Sequence, residues 1–402
     1  MSLNQTNKPK KILVIGAGLA QADAICKAKR LGYYVMASDG AADAVGLKYA
    51  NESKIIDVRD VGANLEWARE KKVDGVISYA SDVTLPTVAA IREVMGLPGL
   101  DRVPMEISLD KSRQREVLGK AGLPQPEFRV AINWNGCCHA AGEIELPLVV
   151  KPADNSGSRG VFVVRHKDEL HQAFQAAFFH SKLGKVVVEE FIDGVELTVE
   201  GLSINRKHRI LAISDKIKPA GDYCVATQLA YPADISAEME QQVSSIMQKA
   251  YDQLGIDNSP THSEVIIGSH GPKIIEIGCR GGGFYVFTRA VEAASGYPIV
   301  ENWTRMCTGD AADEVETQRR GVVLRFLAAQ PGTLVDCKGI EEANDIDGVD
   351  CGLFVNKGDI IPRLVNDGSR TGWMLAVASD RAKALAKADR VSSLIRFNVE
   401  SH

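Results

Sequence analysis

Short apolar runs alternate with amphipathic segments over roughly the first hundred residues. The runs have strand length, and the segments between them space their apolar residues as a helix does. In chain order, the predicted strands are 12–16, 34–39, 54–58 and 74–79, and the predicted helices end near Leu31 or span 63–71 and 85–95. Regular alternation of strand and helix is typical of a parallel sheet with helices on both faces. We therefore predict an N-terminal doubly wound parallel α/β domain over residues 1–110.

The pattern changes after Gly99. The elements predicted beyond it are a helix over 113–122, two pairs of strands in 146–165 and 185–201, and helices over 238–254 and 380–395. We predict a second domain over 111–320 with mixed sheets, in which residues from about 123 to 190 form a lid. A small C-terminal α/β domain is predicted over 321–402.

A β-hairpin is predicted around a loop that ends at Pro272, which has no N–H to give to a ladder. Pairing that begins at Ile267 with Lys273 sets Glu264 opposite Glu276, so both carboxylates leave the same face. The other face is apolar and carries Val265, Ile267, Ile275 and Ile277. Like charges directly opposite each other destabilise a sheet unless a cation lies between them. The pair predicts a divalent metal site; the alternative is two solvated glutamates on an outer face.

Composition narrows the class of protein. The 402 residues contain 47 Lys and Arg against 52 Asp and Glu, a net charge of −5, so we predict no nucleic-acid or acidic-membrane partner. The basic start and the apolar run after it superficially resemble a signal peptide, but a first buried strand explains them better, and no apolar run reaches the ~18 residues of a membrane span. The eight cysteines lack metal-ligand spacing, which indicates reduced thiols in a cytoplasmic protein. Cys279 is interpreted as a packing residue.

Two lysines and a loop rich in Gly and Ser are candidates for phosphate binding. Lys111 lies at a helix start that Asp110 or Ser112 caps, where the helix dipole disfavours a cation. A surface accident explains that position, and so does a lysine held to meet phosphates. Lys151 precedes a loop whose backbone N–H groups can wrap a phosphate. The loop residues concerned are Ser156, Gly157, Ser158 and Gly160. A plain hairpin loop is the alternative, since the P-loop pattern is missing.

The strands in 185–201 offer a purine site at their junction. Backbone groups of Glu190 to Ile192 can bond to the base edge, while Phe191 and Ile192 supply apolar walls. Glu196 can accept hydrogen bonds from ribose hydroxyls. Ordinary core strands are the alternative interpretation.

The glycine turn after the first strand suggests a nicotinamide site. Gly16 to Gln21 with Asp39 approaches the dinucleotide pattern, but Gln21 occupies the third glycine position. A tight strand-to-helix turn is the plainer interpretation. As a third alternative, the strand ends at Ser38 and at 78–82 face a substrate at the carboxyl edge of the sheet.

Taken in order, these motifs resemble the ATP-grasp superfamily. The resemblance covers nearly the whole chain and rests on the succession of Lys111, Lys151 with its loop, 189–192 with Glu196, and Glu264 with Glu276. Within the superfamily the chain is similar to stand-alone proteins related to the carbamoyl-phosphate synthase large subunit, to formate-using glycinamide ribonucleotide transformylase and to L-amino-acid ligases.

The resemblance implies ATP and Mg²⁺ as cofactors, with Mn²⁺ as an alternative ion. The implied roles are Lys111 and Lys151 on the phosphates, Ser156 to Gly160 as the lid above them, Glu189 to Ile192 on adenine, Glu196 on the ribose, and Glu264 and Glu276 on the metal. One position departs from the family, which usually places Asn two residues after the second metal glutamate, where this chain has Gly278. Arg280 then neutralises more of the charge and is the candidate for gripping the substrate carboxylate. Arg280 and Lys151 are the candidate catalytic residues, and Lys216 and Lys218 are alternatives for the grip.

The implied activity is that of an ATP-dependent carboxylate–amine ligase. A carboxylate attacks the γ-phosphorus, ADP leaves an acyl-phosphate behind, and an amine displaces phosphate. The partners implied are small-molecule carboxylates and amines, and a homodimer is compatible with the resemblance. Two rivals stay open: an NAD(P)-dependent oxidoreductase, and a non-catalytic nucleotide-binding module, against which the presence of both lysines and both glutamates argues.

Overall fold

The computed structural model describes residues 8–218 and 225–401, so Cys224 lies outside the described residues. The helices are α1 (Leu19–Arg30), α2 (Val61–Lys71), α3 (Leu85–Met95), α4 (Arg102–Ser108), α5 (Lys111–Lys120), α6 (Trp134–Glu143), α7 (Leu170–His180), α8 (Ala237–Leu254), α9 (Val291–Ser295), α10 (Ile299–Cys307), α11 (Ile340–Asn344) and α12 (Arg381–Leu394). Among the helices described, none is long and apolar enough to cross a membrane.

The strands form four sheets. They are β1 (Lys11–Ile15), β2 (Tyr34–Asp39), β3 (Glu52–Ile55), β4 (Gly75–Ile77), β5 (Phe128–Ala131), β6 (Leu148–Pro152), β7 (Phe162–Val164), β8 (Val186–Glu190), β9 (Val195–Ile204), β10 (Lys207–Ile217), β11 (Gln228–Tyr231), β12 (Ser259–Gly268), β13 (Gly271–Gly278), β14 (Gly321–Leu327), β15 (Gly332–Lys338), β16 (Val349–Leu353), β17 (Ile360–Ile361), β18 (Gly372–Ala378) and β19 (Arg396–Glu400).

The N-terminal sheet is parallel throughout, in the order β3-β2-β1-β4. Its central strand β1 is apolar at successive positions because both faces are covered. Ile12 and Val14 belong to one hydrophobic cluster, and Leu13 and Ile15 belong to another on the opposite face. This arrangement confirms the predicted N-terminal parallel α/β fold. The carboxyl end of β4 leads directly into residues 78–82, which reach the cavity described below.

An antiparallel sheet in the order β5-β8-β6-β7 follows. Helices α6 and α7 contribute Cys137, Ala140, Phe174 and Ala177 to its apolar side. This sheet with its two helices occupies the range predicted as the lid, which we call the lid sheet.

The largest sheet has eight antiparallel strands in the order β13-β12-β9-β10-β11-β14-β18-β16. Helix α8 packs against one face, where Val243 and Met247 meet Val199 and Val265. The opposite face forms the floor of the cavity. Strands β14, β16 and β18 come from the C-terminal region, so the last part of the chain shares this sheet, and only β15, β17 and β19 form a separate small one. The domain limits at 110 and 320 stay predictions.

The hairpin of β12 and β13 confirms one part of the predicted register and corrects another. Glu264 lies opposite Glu276, as predicted, but Ile267 pairs with Pro272 and not with Lys273. The turn is therefore one residue tighter, and a β-bulge between the turn and the glutamates restores their pairing. Pro272 is a strand residue, which is tolerated because β13 is at the edge of the sheet.

The bulge also changes which isoleucine is buried. Ile275 has no partner across the hairpin and lines the cavity, whereas Ile274 is fully buried in the core with Val265 and Ile277. The prediction that Ile275 lies on the apolar face was therefore wrong. The physical reason is that one inserted residue reverses the alternation of faces for the part of the strand on the turn side of it.

Candidate active site

One cavity of about 600 Å³ opens between the lid sheet, the floor of the eight-stranded sheet and the carboxyl edge of the N-terminal sheet. The predicted site residues that line it are Lys111, Lys151, Ser156, Gly157, Ser158, Glu189, Glu190, Phe191, Ile192, Glu196, Glu264, Glu276 and Arg280; of the predicted set, Gly160 is not among its lining residues. The fold thus brings motifs separated by more than a hundred positions to one place.

The floor of the cavity follows from strand alternation. Alternate residues along one stretch of β9 and β12 lie on the cavity side of the sheet, in the facing pairs Glu196 with Ile266, Thr198 with Glu264, and Glu200 with His262. On the outer side of β12, Glu276 of β13 faces Glu264. The remaining residues of β9 and β12, such as Leu197, Val199 and Val265, point to the core beneath α8. A polar row therefore runs along the floor from Glu196 to Glu200.

Lys151 belongs to a fully buried ionic cluster with Glu189 and Arg115. The two carboxylate oxygens of Glu189 bind Arg115 Nε at 2.7 Å and Lys151 Nζ at 2.6 Å, and none of the three residues is more than 4% exposed. Burial alone would raise the pKa of Glu189, but the charges of Arg115 and Lys151 outweigh it and lower the pKa to about 2. Burial lowers the pKa of Lys151, and Glu189 opposes that shift.

The position of Glu189 gives its side chain a different task from adenine binding. Both of its oxygens are engaged, so the carboxylate holds Lys151 in place at the cavity wall. Arg115 in turn donates to the carbonyl oxygens of Ile274 and Ile275, at 3.1 and 2.7 Å. These are the carbonyls that the bulge presents, so the cluster ties the lid sheet to the hairpin.

The facing glutamates Glu264 and Glu276 each hold a lysine. Lys216 Nζ lies 2.6 Å from Glu264 Oε1 and bridges it to Glu196, and Lys111 Nζ lies 2.9 Å from Glu276. Burial would raise the pKa of Glu264, yet the charge of Lys216 lowers it well below its usual range, so the carboxyl is ionised at neutral pH. Glu196 and Glu264 raise the pKa of Lys216, although burial opposes that shift.

Glu264 and Glu276 fit a magnesium ion whose coordination phosphates would complete. Their side chains are about one quarter exposed, they face each other across one ladder position, and Mg²⁺ is commonly held by one or two carboxylates together with substrate phosphates. No cluster of three or more His, Cys, Asp or Glu residues suited to a metal exists in 8–218 and 225–401. The protein itself therefore supplies two carboxylate ligands here, and Gly278, at the position of the usual Asn, adds no side-chain ligand.

Arg280 is anchored by the N-terminal sheet. Its Nε and Nη2 bind the two oxygens of Asp82 at 2.9 and 3.0 Å, and Nη1 donates to the carbonyl of Gly281. Burial would raise the pKa of Asp82, but Arg280 outweighs it and lowers that pKa. A guanidinium has five N–H donors, so one on Nη1 and one on Nη2 are left for an anion in the cavity. The Ser156 side chain of the lid loop also helps to lower the pKa of Asp82.

The lid loop has the backbone geometry of an anion-binding nest. Gly157, Ser158 and Gly160 have φ values of 67°, 59° and 75°. Turn backbone of this kind can direct successive N–H groups toward a common centre. The carbonyl of Asn155 accepts from Lys111 Nζ at 2.6 Å, so the loop and this lysine are held together.

The predicted adenine-binding segment, Glu189 to Ile192, lies at the end of β8 in the lid sheet. Glu190 turns away from Glu189 and pairs with Lys273 of the hairpin at 2.7 Å, while Phe191 and Ile192 line the cavity. A Cβ on Gly194 would come within 2.1 Å of the Ile267 carbonyl, so only glycine allows the chain to pass so close to the hairpin.

The side chain of Asp39 is occupied by hydrogen bonds within the glycine turn of the N-terminal sheet. The two carboxylate oxygens of Asp39 accept from the backbone N–H groups of Ala17 and Ala41, at 2.7 and 2.9 Å. Ser38 is buried and bonds to Asn64, whereas Ser81 and Asp82 line the cavity. Of the two strand ends named in the sequence analysis, only the second reaches the candidate site.

Among the residues that sequence reasoning missed are His262 and Arg370, which line the cavity, and Glu200, which is buried behind His262. Glu200 and His262 form a contact of 2.5 Å on the floor. Arg370, just before β18, is 6% exposed; its guanidinium lies 3.6 Å from the ring centre of Phe326 and 4.8 Å from that of Phe284. Burial lowers the pKa of Arg370 to about 10, opposed by Asp367. The alternation of β9 and β12 could have placed Glu200 and His262 on the polar face, but their pairing needs the fold.

Two family models match this chain. The ATP-grasp domain model matches residues 144–287, and the model for L-amino acid ligase C-terminal domain 2 matches 325–400. An uncharacterised protein of Sinorhizobium fredii is 30% identical over 358 residues, covering 86% of this chain and 74% of that protein. The formate-dependent phosphoribosylglycinamide formyltransferase of a Synechococcus species is 26% identical, over 98% of this chain and all of that one.

Solved structures share the fold over nearly the whole length. The L-amino acid ligase of Bacillus licheniformis superposes with a TM-score of 0.84 at 24% identity, covering 98% of this chain and 100% of the other. A phosphoribosylglycinamide synthetase of Anaerococcus prevotii superposes with a TM-score of 0.79 at 20% identity and the same coverage. The chain belongs to the ATP-grasp family, and it is an ATP-grasp ligase of the class that forms carbon–nitrogen bonds with release of ADP.

Proposed function

We propose that this protein joins a small carboxylic acid to an amine through an acyl-phosphate, releasing ADP and phosphate. The observation that carries the proposal is the set of charges that line one cavity. Lys111, Lys151 and the lid loop, the facing carboxylates Glu264 and Glu276, and the anchored guanidinium of Arg280 all lie there. That set suits a triphosphate whose last phosphorus meets a second anion.

The nucleotide end is built from the lid sheet and the floor. Phe191 and Ile192 offer apolar walls for a purine, and Glu196 is placed to accept from ribose hydroxyls once Lys216 releases it. Lys111, Lys151 and the loop of Ser156 to Gly160 surround the place of the phosphates. In this proposal Lys216, which pairs with Glu196, and Lys111, which pairs with Glu276, exchange those carboxylates for phosphate oxygens.

Glu264 and Glu276 would hold Mg²⁺, which would supply neutralisation of the charge on the transferred phosphoryl group. The protein's own contribution is position. Lys151 is fixed by Glu189, Lys111 by its helix start and by the Asn155 carbonyl, and Arg280 by Asp82. Cationic groups fixed before the reaction stabilise developing charge without reorganising.

An enzyme nucleophile is not needed for this reaction, and the thiol of Cys279 is unsuited to be one. Cys279 is 2% exposed, and burial raises the pKa of its thiol to about 12. A substrate carboxylate held by the two remaining donors of Arg280 can instead attack the γ-phosphorus directly. The lid loop lines the same cavity as Asp82, and its closure would keep water from the acyl-phosphate.

The substrate class is inferred from the site and from the relatives. Two matched proteins carry names that specify a small carboxylic acid, formate in one and an L-amino acid in the other. A cavity of about 600 Å³ that must also take ATP leaves room for an acid of that size. A homodimer stays a prediction.

The proposal is tested with a substrate carboxylate labelled with heavy oxygen. We expect ADP as the nucleotide product and one labelled oxygen in each phosphate released, because the acid oxygen that attacks phosphorus leaves with it. Mass spectrometry of the phosphate measures the transfer, and Arg280→Lys should slow it, since a point charge cannot reproduce a two-donor grip. Label in AMP, or amide product with unlabelled phosphate, would contradict the acyl-phosphate route.

A further inference from the structure

The contact of Glu200 with His262 has no part in the function proposed so far. His262 Nδ1 lies 2.5 Å from Glu200 Oε1, and the two residues face each other on neighbouring strands. Glu200 is 1% exposed, whereas His262 lines the cavity with its side chain 17% exposed. An acidic residue buried behind a histidine that reaches an active-site cavity is an arrangement that orients an imidazole.

The position of the pair along the floor places it on the substrate side. His262 is two residues from Glu264 on the same face of β12, and Glu200 is likewise two residues beyond Thr198. One such step along a strand is about 7 Å. The step leads away from Glu196, the nucleotide end, so the imidazole lies past the facing glutamates, where the acid and the incoming amine would be.

The contact with Glu200 determines which ring nitrogen of His262 is available to a substrate. An ionised carboxylate only accepts hydrogen bonds, so Nδ1 of His262 carries the proton that it donates to Glu200. Nε2 is then the nitrogen with a free lone pair for a substrate. Glu200 Oε2 is buried without a hydrogen-bond partner in the described residues, so the carboxylate has no closer counter-charge than the imidazole it holds.

We propose that His262, positioned by Glu200, is the general base that takes a proton from the amine substrate; this inference rests on the proposed function. An amine that arrives as an ammonium ion must lose two protons to become an amide nitrogen. The C–N bond forms as the bond between the acyl carbon and the phosphate oxygen breaks, and phosphate leaves with that electron pair. One proton goes to Nε2 of His262, and the other leaves on monohydrogen phosphate.

Charged and polar groups approach His262 from the strands on both sides of it. Glu200 faces it from β9, Glu264 lies beside it on β12, and Glu276 and Arg280 belong to the neighbouring strand and its continuation. The buried hydroxyl of Tyr231 on β11 is near Glu200.

The test compares two nucleophiles that differ in their need for a base. Hydroxylamine is largely unprotonated at neutral pH, so it can trap an acyl-phosphate without help, whereas an ordinary amine is protonated. The common L-amino acids and formate serve as acid probes, with hydroxylamine in one assay and amino-acid amines in the other. Hydroxamate and amide are measured by mass spectrometry, and ADP release is measured alongside.

For His262→Gln we expect hydroxamate formation to stay within about twofold of the unaltered protein. Amide formation at neutral pH should fall by about 10²–10³-fold, the usual contribution of a general base. The loss should shrink as pH rises, because the free amine then forms in solution. Glu200→Gln should reduce the amide reaction selectively but by a smaller factor, since it disturbs only the orientation of the ring.

His208 is the matched control. It also pairs with a carboxylate, Asp252 at 3.0 Å, but it lies outside the cavity lining. His208→Gln should leave the ratio of amide to hydroxamate unchanged. Equal losses of both products in His262→Gln, or an unchanged amide rate, would overturn the role of His262 as a base. Failure of the unaltered protein to form any hydroxamate would instead overturn the acyl-phosphate function and the inference with it.

Discussion

Two groups of glutamates and basic residues lie within one site, yet they differ in what they can do. The buried cluster of Glu189, Lys151 and Arg115 is at most 4% exposed, and each carboxylate oxygen has one fixed partner. The open cluster, comprising Glu196, Glu264, Glu276, Lys111, Lys216 and Lys218, lines the cavity, with side-chain exposures from 9 to 31%. The residue types are nearly the same in both.

The difference shows that the buried cluster supports the structure, whereas the partly exposed cluster is able to bind ligands. Breaking a buried ion pair leaves an uncompensated charge in a place that water cannot reach, so such a pair keeps its geometry. A pair at a cavity wall can exchange one partner for a phosphate oxygen or a metal ion at little cost. The open cluster therefore acts as the binding surface, and the buried cluster holds one of its walls in position.

The largest effect is expected from Glu276→Gln in the open cluster. Loss of one of two carboxylates that would hold Mg²⁺ should remove several kcal/mol of charge stabilisation in the transition state, or about 10³-fold in turnover. Stability should change little, because the pair of Glu276 with Lys111 is partly exposed. Magnesium-dependent ATP turnover and a melting curve measure the two quantities; unaltered turnover with an unaltered melting curve would remove Glu276 from the metal site.

The next effect is expected from Glu189→Gln in the buried cluster, and it should appear in stability. Arg115 and Lys151 would be left with no ionised partner in the core, which typically costs ~3–5 kcal/mol. Denaturant unfolding at neutral pH measures the loss. A change below about 1 kcal/mol would show that the buried cluster does not support the fold.

The pH dependence of stability sharpens the same comparison. The pKa of Glu189 is about 2 in the folded protein against an ordinary 4.5, so its contribution is fully present above pH 4.5 and is lost as the pH falls from 4.5 toward 2. The unaltered protein should therefore lose more stability than Glu189→Gln across that window, on the order of 3 kcal/mol for this shift. Parallel losses in the two proteins would mean that Glu189 has an ordinary pKa.

The smallest effect is expected from Glu190→Gln, the neighbour of Glu189 on the opposite face of β8. Its pair with Lys273 is 20–35% exposed, and such pairs contribute about 0–1 kcal/mol. Unfolding measured beside Glu189→Gln gives a contrast between adjacent positions in one strand. A loss as large as that of Glu189→Gln would mean that exposure does not explain the difference between the clusters.

Local alternation was enough to predict much of the site. The spacing of Glu264 and Glu276 placed both on one face, and the order of lysines, loop and glutamates indicated the family. The bulge at Ile275 could not be predicted, because it compensates for a one-residue difference in the turn, so the glutamates pair with each other whether Pro272 lies in the loop or in the strand. Two register errors of one residue cancelled at the glutamates.

Contacts between distant strands were beyond the reach of sequence patterns. Glu200 and His262 are 62 positions apart and meet only because β12 pairs with β9. From the sequence alone, Glu189 is indistinguishable from other strand residues, because its partner Arg115 lies on a distant helix. Arg370 reaches the cavity because β18 joins the eight-stranded sheet. Each of these positions depends on tertiary pairing, which hydrophobic period does not encode.

The shared sheet has a practical consequence for recombining this protein with its relatives. A crossover near residue 320 would cut between β11 and β14, whose ladder joins Gln228–Tyr231 to Val322–Arg325, so two parents would have to match each other's strand twist and side-chain volume along that seam. Arg381, which binds both oxygens of Asp215 and the carbonyls of Ala230 and Pro232, would also have to find the same partners. Crossovers in the connection after α5, where few strands are divided, should give folded hybrids more often.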